Sequence, residues 1–183
     1  GEAMVNKMAA LFLKDEVAKG GMGLSNIELS NITGLAGVIG IVLGGIAGGL
    51  VVSKRGLKRT FWFIAVAMHL PNLLYWWASA AHPPIWTLYG VAFTEQFGYG
   101  FGFAGYMIYL MRIAQRSEYR TAHYAIATGL GAMCIMVAGI SSGVIQKNFG
   151  YTGLFAVASF AAIPGLLTLL IIPMDEEAAP AAA

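Results

Sequence analysis

The sequence predicts an all-α membrane protein, a bundle of helices that each cross a bilayer. Charged residues make up 11% of the chain and apolar residues 58%, whereas about a quarter of an ordinary soluble domain is charged. Too little polar surface is therefore available to cover a water-soluble fold. The charges also cluster between long apolar runs instead of following helix faces. This pattern fits a protein whose solvent is lipid.

Five apolar runs are long enough to span, because a membrane-crossing helix needs about 20 mostly apolar residues. They are residues 27–52, 60–80, 85–113, 121–146 and 152–173. The run within residues 1–13 is too short to cross at about 1.5 Å per residue, and we interpret it as the end of a truncated helix. We expect a single helical domain over residues 1–177 and a disordered tail over residues 178–183.

Residues between the runs predict where helices begin and bend. Ser25 and Glu28 have the spacing of a capping box, which predicts a helix start. Pro83 precedes the 85–113 run, since proline is tolerated in a first helical turn. Pro71 and Pro164 each remove a backbone donor inside a run and predict kinks.

Basic residues set the predicted orientation. The connections at 53–60 and 112–120 carry seven of them: Lys54, Arg55, Lys58, Arg59, Arg112, Arg116 and Arg120. Basic loops stay on the cytoplasmic side. The connections at 14–26, 81–84 and 147–151 are therefore predicted to lie outside, and the C-terminus inside.

Glu95 is the main candidate functional residue. With successive helix residues rotated by about 100°, it shares one face with Tyr99, Gly102, Tyr106 and Tyr109. Ionisable groups are costly in a bilayer and usually face the protein interior or a water-filled path. We interpret this stripe as lining a cavity in which Glu95 can carry a coupled proton. The alternative is a Glu95 that is hydrogen-bonded to a neighbouring helix for stability.

Further polar groups lie near other apolar runs. Glu2 and Asn6 share a face of the truncated helix and are candidate cavity-lining groups. Lys7 points elsewhere, and either its side chain extends to the membrane surface or it has a functional role. His69 either senses protons or is a hydrogen-bonded packing residue. The glycine repeat that includes Gly44, with a spacing of four residues, predicts a close helix contact that is either sliding or static.

Several function classes find no support in the sequence. The net charge of +2 is too small to indicate a nucleic-acid partner. Cys134 is the only cysteine, and no metal-ligand spacing or nucleophile–base arrangement is present, so we expect no metal, no cofactor and no enzymatic activity. A glycine pattern at residues 100–105 matches a dinucleotide-binding motif, but it lies inside an apolar run and does not follow a strand.

Residues 49–59 (GLVVSKRGLKR) resemble the loop motif of the major facilitator superfamily, which follows the second helix of each half. The matching residues, proposed to act in a gating loop, are Gly49, Lys54, Arg55, Gly56, Lys58 and Arg59. Ser53 stands at the position usually occupied by an aspartate, so the salt-bridge latch that this position supplies elsewhere is not expected here.

Residues 69–72 (HLPN), 94–102 (TEQFGYGFG) and 106–112 resemble AmpG-like muropeptide permeases and related peptide and acetyl-CoA transporters. The resemblance runs over nearly the whole chain and implies the C-terminal six-helix half of the fold, beginning partway through helix seven. The Glu2 helix is then number seven and the Glu95 helix number ten, both cavity-lining in this superfamily. Gln96, beside Glu95 in the second motif, joins the candidate pathway residues.

The resemblance implies a multi-pass protein of the bacterial inner membrane that works by proton symport. It implies import of cell-wall-derived muropeptides by two halves that rock around a midplane site. The expected partners are lipid, a small-molecule substrate, protons and the missing N-terminal half, with about seven further spans encoded upstream. Two alternatives remain open at this point: a superfamily transporter for a sugar, drug or other solute, and a membrane-embedded enzyme or assembly subunit.

Overall fold

The computed structural model describes residues 1–115 and 118–169, which form helices and connecting turns with no strand among them. The predicted all-α class is confirmed. The helices are α1 (Glu2–Lys14), α2 (Asn26–Ser30), α3 (Val38–Arg55), α4 (Leu57–His69), α5 (Asn72–Ala81), α6 (Ile85–Gln115), α7 (Arg120–Phe160) and α8 (Ala162–Thr168). Arg116, the end of the last predicted span and the predicted tail lie outside the described residues.

A π-helical turn, Asn31–Gly37, joins α2 to α3, so that one helical stretch runs from Asn26 to Arg55. It starts with the predicted capping box, which is confirmed. The Ser25 hydroxyl accepts a bond from the Glu28 backbone N–H at 3.3 Å, and the Glu28 carboxylate accepts one from the Ser25 backbone N–H at 2.9 Å. The π-helical turn was not predicted from the sequence.

Two helical stretches among the described residues are long and apolar enough to cross a membrane, Asn26–Arg55 and Arg120–Thr168. The number of spans in the predicted six-helix half therefore stays a prediction. α4 and α5 are each short because the chain breaks between them at Leu70 and Pro71. α6 has the length, but glycines, tyrosines and polar side chains reduce its apolar character.

The helix interruptions follow from proline and glycine. α4 ends at His69 and α5 begins at Asn72, on either side of Pro71, as predicted. The second interruption lies at Ala161, three residues before Pro164. A proline at position 164 has no N–H for the carbonyl four residues earlier, so the helix breaks ahead of it. Gly150, whose φ of 68° and ψ of −175° are not helical, divides α7 into two helical parts within the predicted connection at 147–151.

α6 packs along one face of α3 through glycine. Gly40, Gly44 and Gly48 are buried against the α6 backbone between Phe93 and Phe101. A Cβ on Gly40 would lie 2.6 Å from the Phe93 carbonyl oxygen, and one on Gly44 would overlap the Phe97 carbonyl. Only glycine permits so close an approach of two helix backbones.

The buried apolar side chains form two clusters. One contains Phe12, Tyr75, Leu88 and Phe155, and joins α1, α5, α6 and α7. The other contains Val52, Leu57, Ile64 and Phe101, and joins α3, α4 and α6. Between the two clusters, the α4–α5 segment carries the polar residues His69 and Asn72, and α6 carries Glu95 and Gln96.

Candidate functional site

A buried polar cluster separates the two apolar clusters. Its core is Glu2 of α1, Asn72 of α5 and Glu95 of α6, whose exposed fractions are 7%, 0% and 1%. A Glu95 side chain directed outward at hydrocarbon would have ruled out an internal site, and the structure instead encloses it within the protein. The cluster therefore brings together polar groups from three helices that are far apart in sequence.

The Glu2 carboxylate is held by two amides. Its Oε2 accepts a hydrogen bond from Asn72 Nδ2 at 2.9 Å, and its Oε1 accepts one from Asn6 Nδ2 at 3.3 Å. Asn6 lies one helical turn after Glu2, so both side chains are on the same face of α1, as predicted. A buried carboxylate requires such donors, since an unpaired one is strongly unfavourable.

Glu95 and Gln96 connect α6 to α1. Gln96 Nε2 donates to Glu95 Oε2 at 2.9 Å and to Asn6 Oδ1 at 3.2 Å. Glu95 also lies close enough to Glu2 for the two carboxyl groups to interact electrostatically. The second carboxyl oxygen of Glu95, Oε1, is buried and has no hydrogen-bond partner among the described residues. Two acidic side chains are thus joined through amides, and one oxygen remains available.

His69 and Asn72 reach this cluster from the break between α4 and α5. His69 Nδ1 lies 3.7 Å from Glu2 Oε2. Sequence reasoning singled out Glu2 and Glu95 but did not include Asn72 among the site residues, and it left the role of His69 open. The available signal was Pro71, because the backbone groups that a proline frees within a membrane helix are satisfied by neighbouring helices and polar side chains.

The predicted tyrosine stripe divides among three environments. Tyr99 is half-buried and lies within electrostatic range of Glu2 and Glu95. The Tyr106 hydroxyl lies beside Gly131 of α7. The Tyr109 ring contacts Phe61 of α4, with centroids 5.3 Å apart. The structure therefore brings Tyr99 to the polar cluster and places Tyr106 and Tyr109 against other helices.

Gly102, the fifth position of that stripe, also lies against α4. A Cβ on Gly102 would be 2.6 Å from the Met68 Cβ. Its role in the structure is close packing of α6 on α4. The face of α6 that the sequence predicts as a polar stripe thus also contains residues that pack against a neighbouring helix.

The residues of the predicted gating-loop motif form the tight connection between α3 and α4. Gly56, with φ 77° and ψ 154°, ends one helix and starts the other. This backbone conformation is one that glycine adopts readily. The four basic side chains of the motif are exposed: Lys54, Arg55, Lys58 and Arg59. Gly49 has open space around its Cβ position, and the Ser53 hydroxyl donates to the Leu50 carbonyl at 3.0 Å.

Groups of three or more His, Cys, Asp or Glu side chains able to hold a metal ion do not occur within residues 1–115 and 118–169. Cys134 is exposed. The donors and acceptors of the polar cluster are carboxylates, amides and one imidazole. Such a set can bind protons or a polar solute, and it contains no nucleophile–base arrangement.

No family model matches the chain. Similar curated proteins exist: an uncharacterized protein of Haemophilus influenzae is 28% identical over 97% of this chain, and a putative transporter AmpG 4 of Rickettsia felis is 24% identical over 94%. The anhydromuropeptide permease of Escherichia coli K12 is 22% identical over 82%. The chain spans 42%, 40% and 30% of the length of these three relatives, well under half of each.

The relatives with functional names are permeases and transporters, not enzymes, which agrees with the class expected from the sequence. The resemblance to AmpG-like permeases, predicted from residues 69–72, 94–102 and 106–112, is confirmed by these relatives.

Proposed function

We propose that the chain is the C-terminal half of a secondary active transporter that imports cell-wall-derived muropeptides by proton symport and alternating access. The names of the AmpG relatives support the substrate class. The observation that carries the proposal is the chain of hydrogen bonds from Glu2 through Asn6 and Gln96 to Glu95, whose Oε1 is buried and has no hydrogen-bond partner among the described residues.

The physical argument for a proton site starts from the free energy needed to hold a charge within the membrane. A carboxylate within a bilayer is expensive and is retained where it serves an ion or substrate path. Both Glu2 oxygens already accept hydrogen bonds, whereas Glu95 Oε1 has no hydrogen-bond partner within the described part of the chain. A proton on Glu95 Oε1 removes one of two neighbouring like charges. Proton binding there changes the force between α1 and α6, which are the helices that the resemblance places on the cavity.

The remaining half of the transporter is the proposed partner. The chain spans only 30–42% of the relatives described above, and alternating access requires two halves that move around one site. The protein is proposed to lie in the bacterial inner membrane with the α3–α4 connection and the C-terminus in the cytoplasm. The exposed basic residues of that connection support this orientation.

The test is Glu95→Gln in the full-length protein, reconstituted in vesicles with an imposed pH gradient and supplied with labelled anhydromuropeptide. The amide keeps the size of the side chain but cannot carry the proton, so we expect normal expression and loss of proton-driven uptake. Glu16→Gln is the matched control, because Glu16 is exposed and pairs only with Lys19 at 3.6 Å among the described contacts.

Two results would contradict the proposal. Uptake by Glu95→Gln at the wild-type level would remove Glu95 from the pathway. Loss of folding with no transport-specific defect would instead indicate a structural role, as expected for an assembly subunit.

A further inference from the structure

The break between α4 and α5 places an imidazole at the edge of the buried carboxylates. Pro71 cannot donate to the Ala67 carbonyl, and that carbonyl lies directly against Gly98 of α6. A Cβ on Gly98 would also be 2.9 Å from Pro71 Cγ. The absence of a side chain at Gly98 thus lets the break approach α6 and brings His69 beside Glu2.

His69 contacts the buried polar cluster with one ring nitrogen and is partly exposed elsewhere. Nδ1 is buried, lies 3.7 Å from Glu2 Oε2, and has no hydrogen-bond partner among the described residues. The side chain as a whole is 23% exposed, whereas that of Glu2 is 9% exposed. One side of the ring therefore faces the carboxylates and another part is accessible from outside the cluster.

We propose that His69 is the residue through which protons reach the Glu2–Glu95 pair. This inference rests on the proton symport proposed above. A proton taken up by the ring gives an imidazolium that pairs with Glu2. Transfer then breaks the N–H bond at Nδ1 and forms an O–H bond on the carboxylate, which leaves a neutral imidazole and a neutral acid. The Glu2 O–H bond then breaks and an O–H bond forms at Glu95 Oε1, which restores the Glu2 carboxylate and leaves Glu95 neutral.

The titratable groups around His69 come from three helices. Glu2 of α1 faces His69 directly. Glu95 and Tyr99 lie on α6, and Tyr75 lies on α5, close enough to both carboxyl groups to interact with them electrostatically. α3 and α8 also contact α4, but the basic residues of α3 lie at its far end and the described part of α8 carries no titratable side chain. Imidazole is the side chain that exchanges protons near neutral pH, so it suits this position.

The test uses His69→Gln in the full-length protein and two assays: proton-driven accumulation, and exchange of labelled for unlabelled anhydromuropeptide without a gradient. We expect proton-driven accumulation to be lost while exchange is retained. A residue that only supports packing would lower both. The control is His82→Asn, since His82 is exposed at the end of α5 with φ 45°, a conformation that asparagine tolerates.

The outcomes separate the two proposals. Uptake by the wild-type protein that does not depend on the pH gradient would overturn proton symport and, with it, the role of His69. Proton-driven uptake in both wild type and His69→Gln, with the same pH profile, would overturn only the role of His69.

If the His69→Gln variant does not fold, a second measurement tests the inference in the folded wild-type protein. Carbethoxylation blocks His69 in the folded wild-type protein, and mass spectrometry identifies the modified residue. The inference predicts that the modified protein loses proton-driven accumulation and retains exchange. Accumulation at the level of the unmodified protein would overturn it.

Discussion

The contact between α3 and α6 gives a prediction whose size follows from the geometry. A Cβ at Gly44 would overlap the Phe97 carbonyl oxygen and lie 2.8 Å and 2.9 Å from the Phe97 carbonyl carbon and Cα. All three atoms are backbone, so no side-chain rotation relieves the collision and the helices must separate. Overpacking of this kind costs about 1–3 kcal/mol. Gly44→Ala should therefore destabilise the protein.

A matched variant isolates that cost. Gly90 of α6 has no atom within 4 Å of its Cβ position, so Gly90→Ala gains only helix propensity, up to about 1 kcal/mol. The difference between the two variants in free energy of unfolding should be about 1–3 kcal/mol, with Gly44→Ala the less stable. Denaturant unfolding of the full-length protein in detergent micelles measures it. Equal stabilities would refute the close helix contact.

Two further predictions concern the contact between α1 and α7 and the orientation. Tyr151 donates a hydrogen bond to the Asp15 carboxylate at 2.5 Å. Tyr151→Phe should therefore lower the free energy of unfolding by about 1.5 kcal/mol, measured in the same denaturant assay. An unchanged free energy of unfolding would mean that this hydrogen bond does not stabilise the protein. In a background with Cys134 replaced by alanine, a membrane-impermeant maleimide applied from the periplasmic side should label Lys147→Cys and not Lys54→Cys, and the reverse pattern would invert the orientation.

The local features of the fold are predictable because they depend on neighbouring residues. The Ser25–Glu28 capping box and the break at Pro71 follow from residues within one turn of each other. The predicted kink near Pro164 falls at Ala161, because the missing N–H acts on the preceding turn. The π-helical turn at residues 31–37 has no equally local signal in its composition.

The candidate site is only partly predictable because periodicity gives the face of a helix and not its partner. Glu2 and Asn6 share a face by spacing alone, and their mutual hydrogen bond agrees with it. The bond from Asn72 to Glu2 joins residues 70 positions apart, and nothing in the local sequence of either specifies the other. The tyrosine stripe illustrates the same limit, since different parts of this one face of α6 contact α4, α7 and the polar cluster.

Solute-induced proton flux measures whether Glu95 carries the proton that drives solute movement. Full-length protein is reconstituted in vesicles that contain a pH-sensitive dye, and anhydromuropeptide is added with no gradient imposed. We expect acidification of the compartment that the solute enters for wild type and none for Glu95→Gln. Equal acidification by both proteins, or solute movement by wild type without protons, would contradict it.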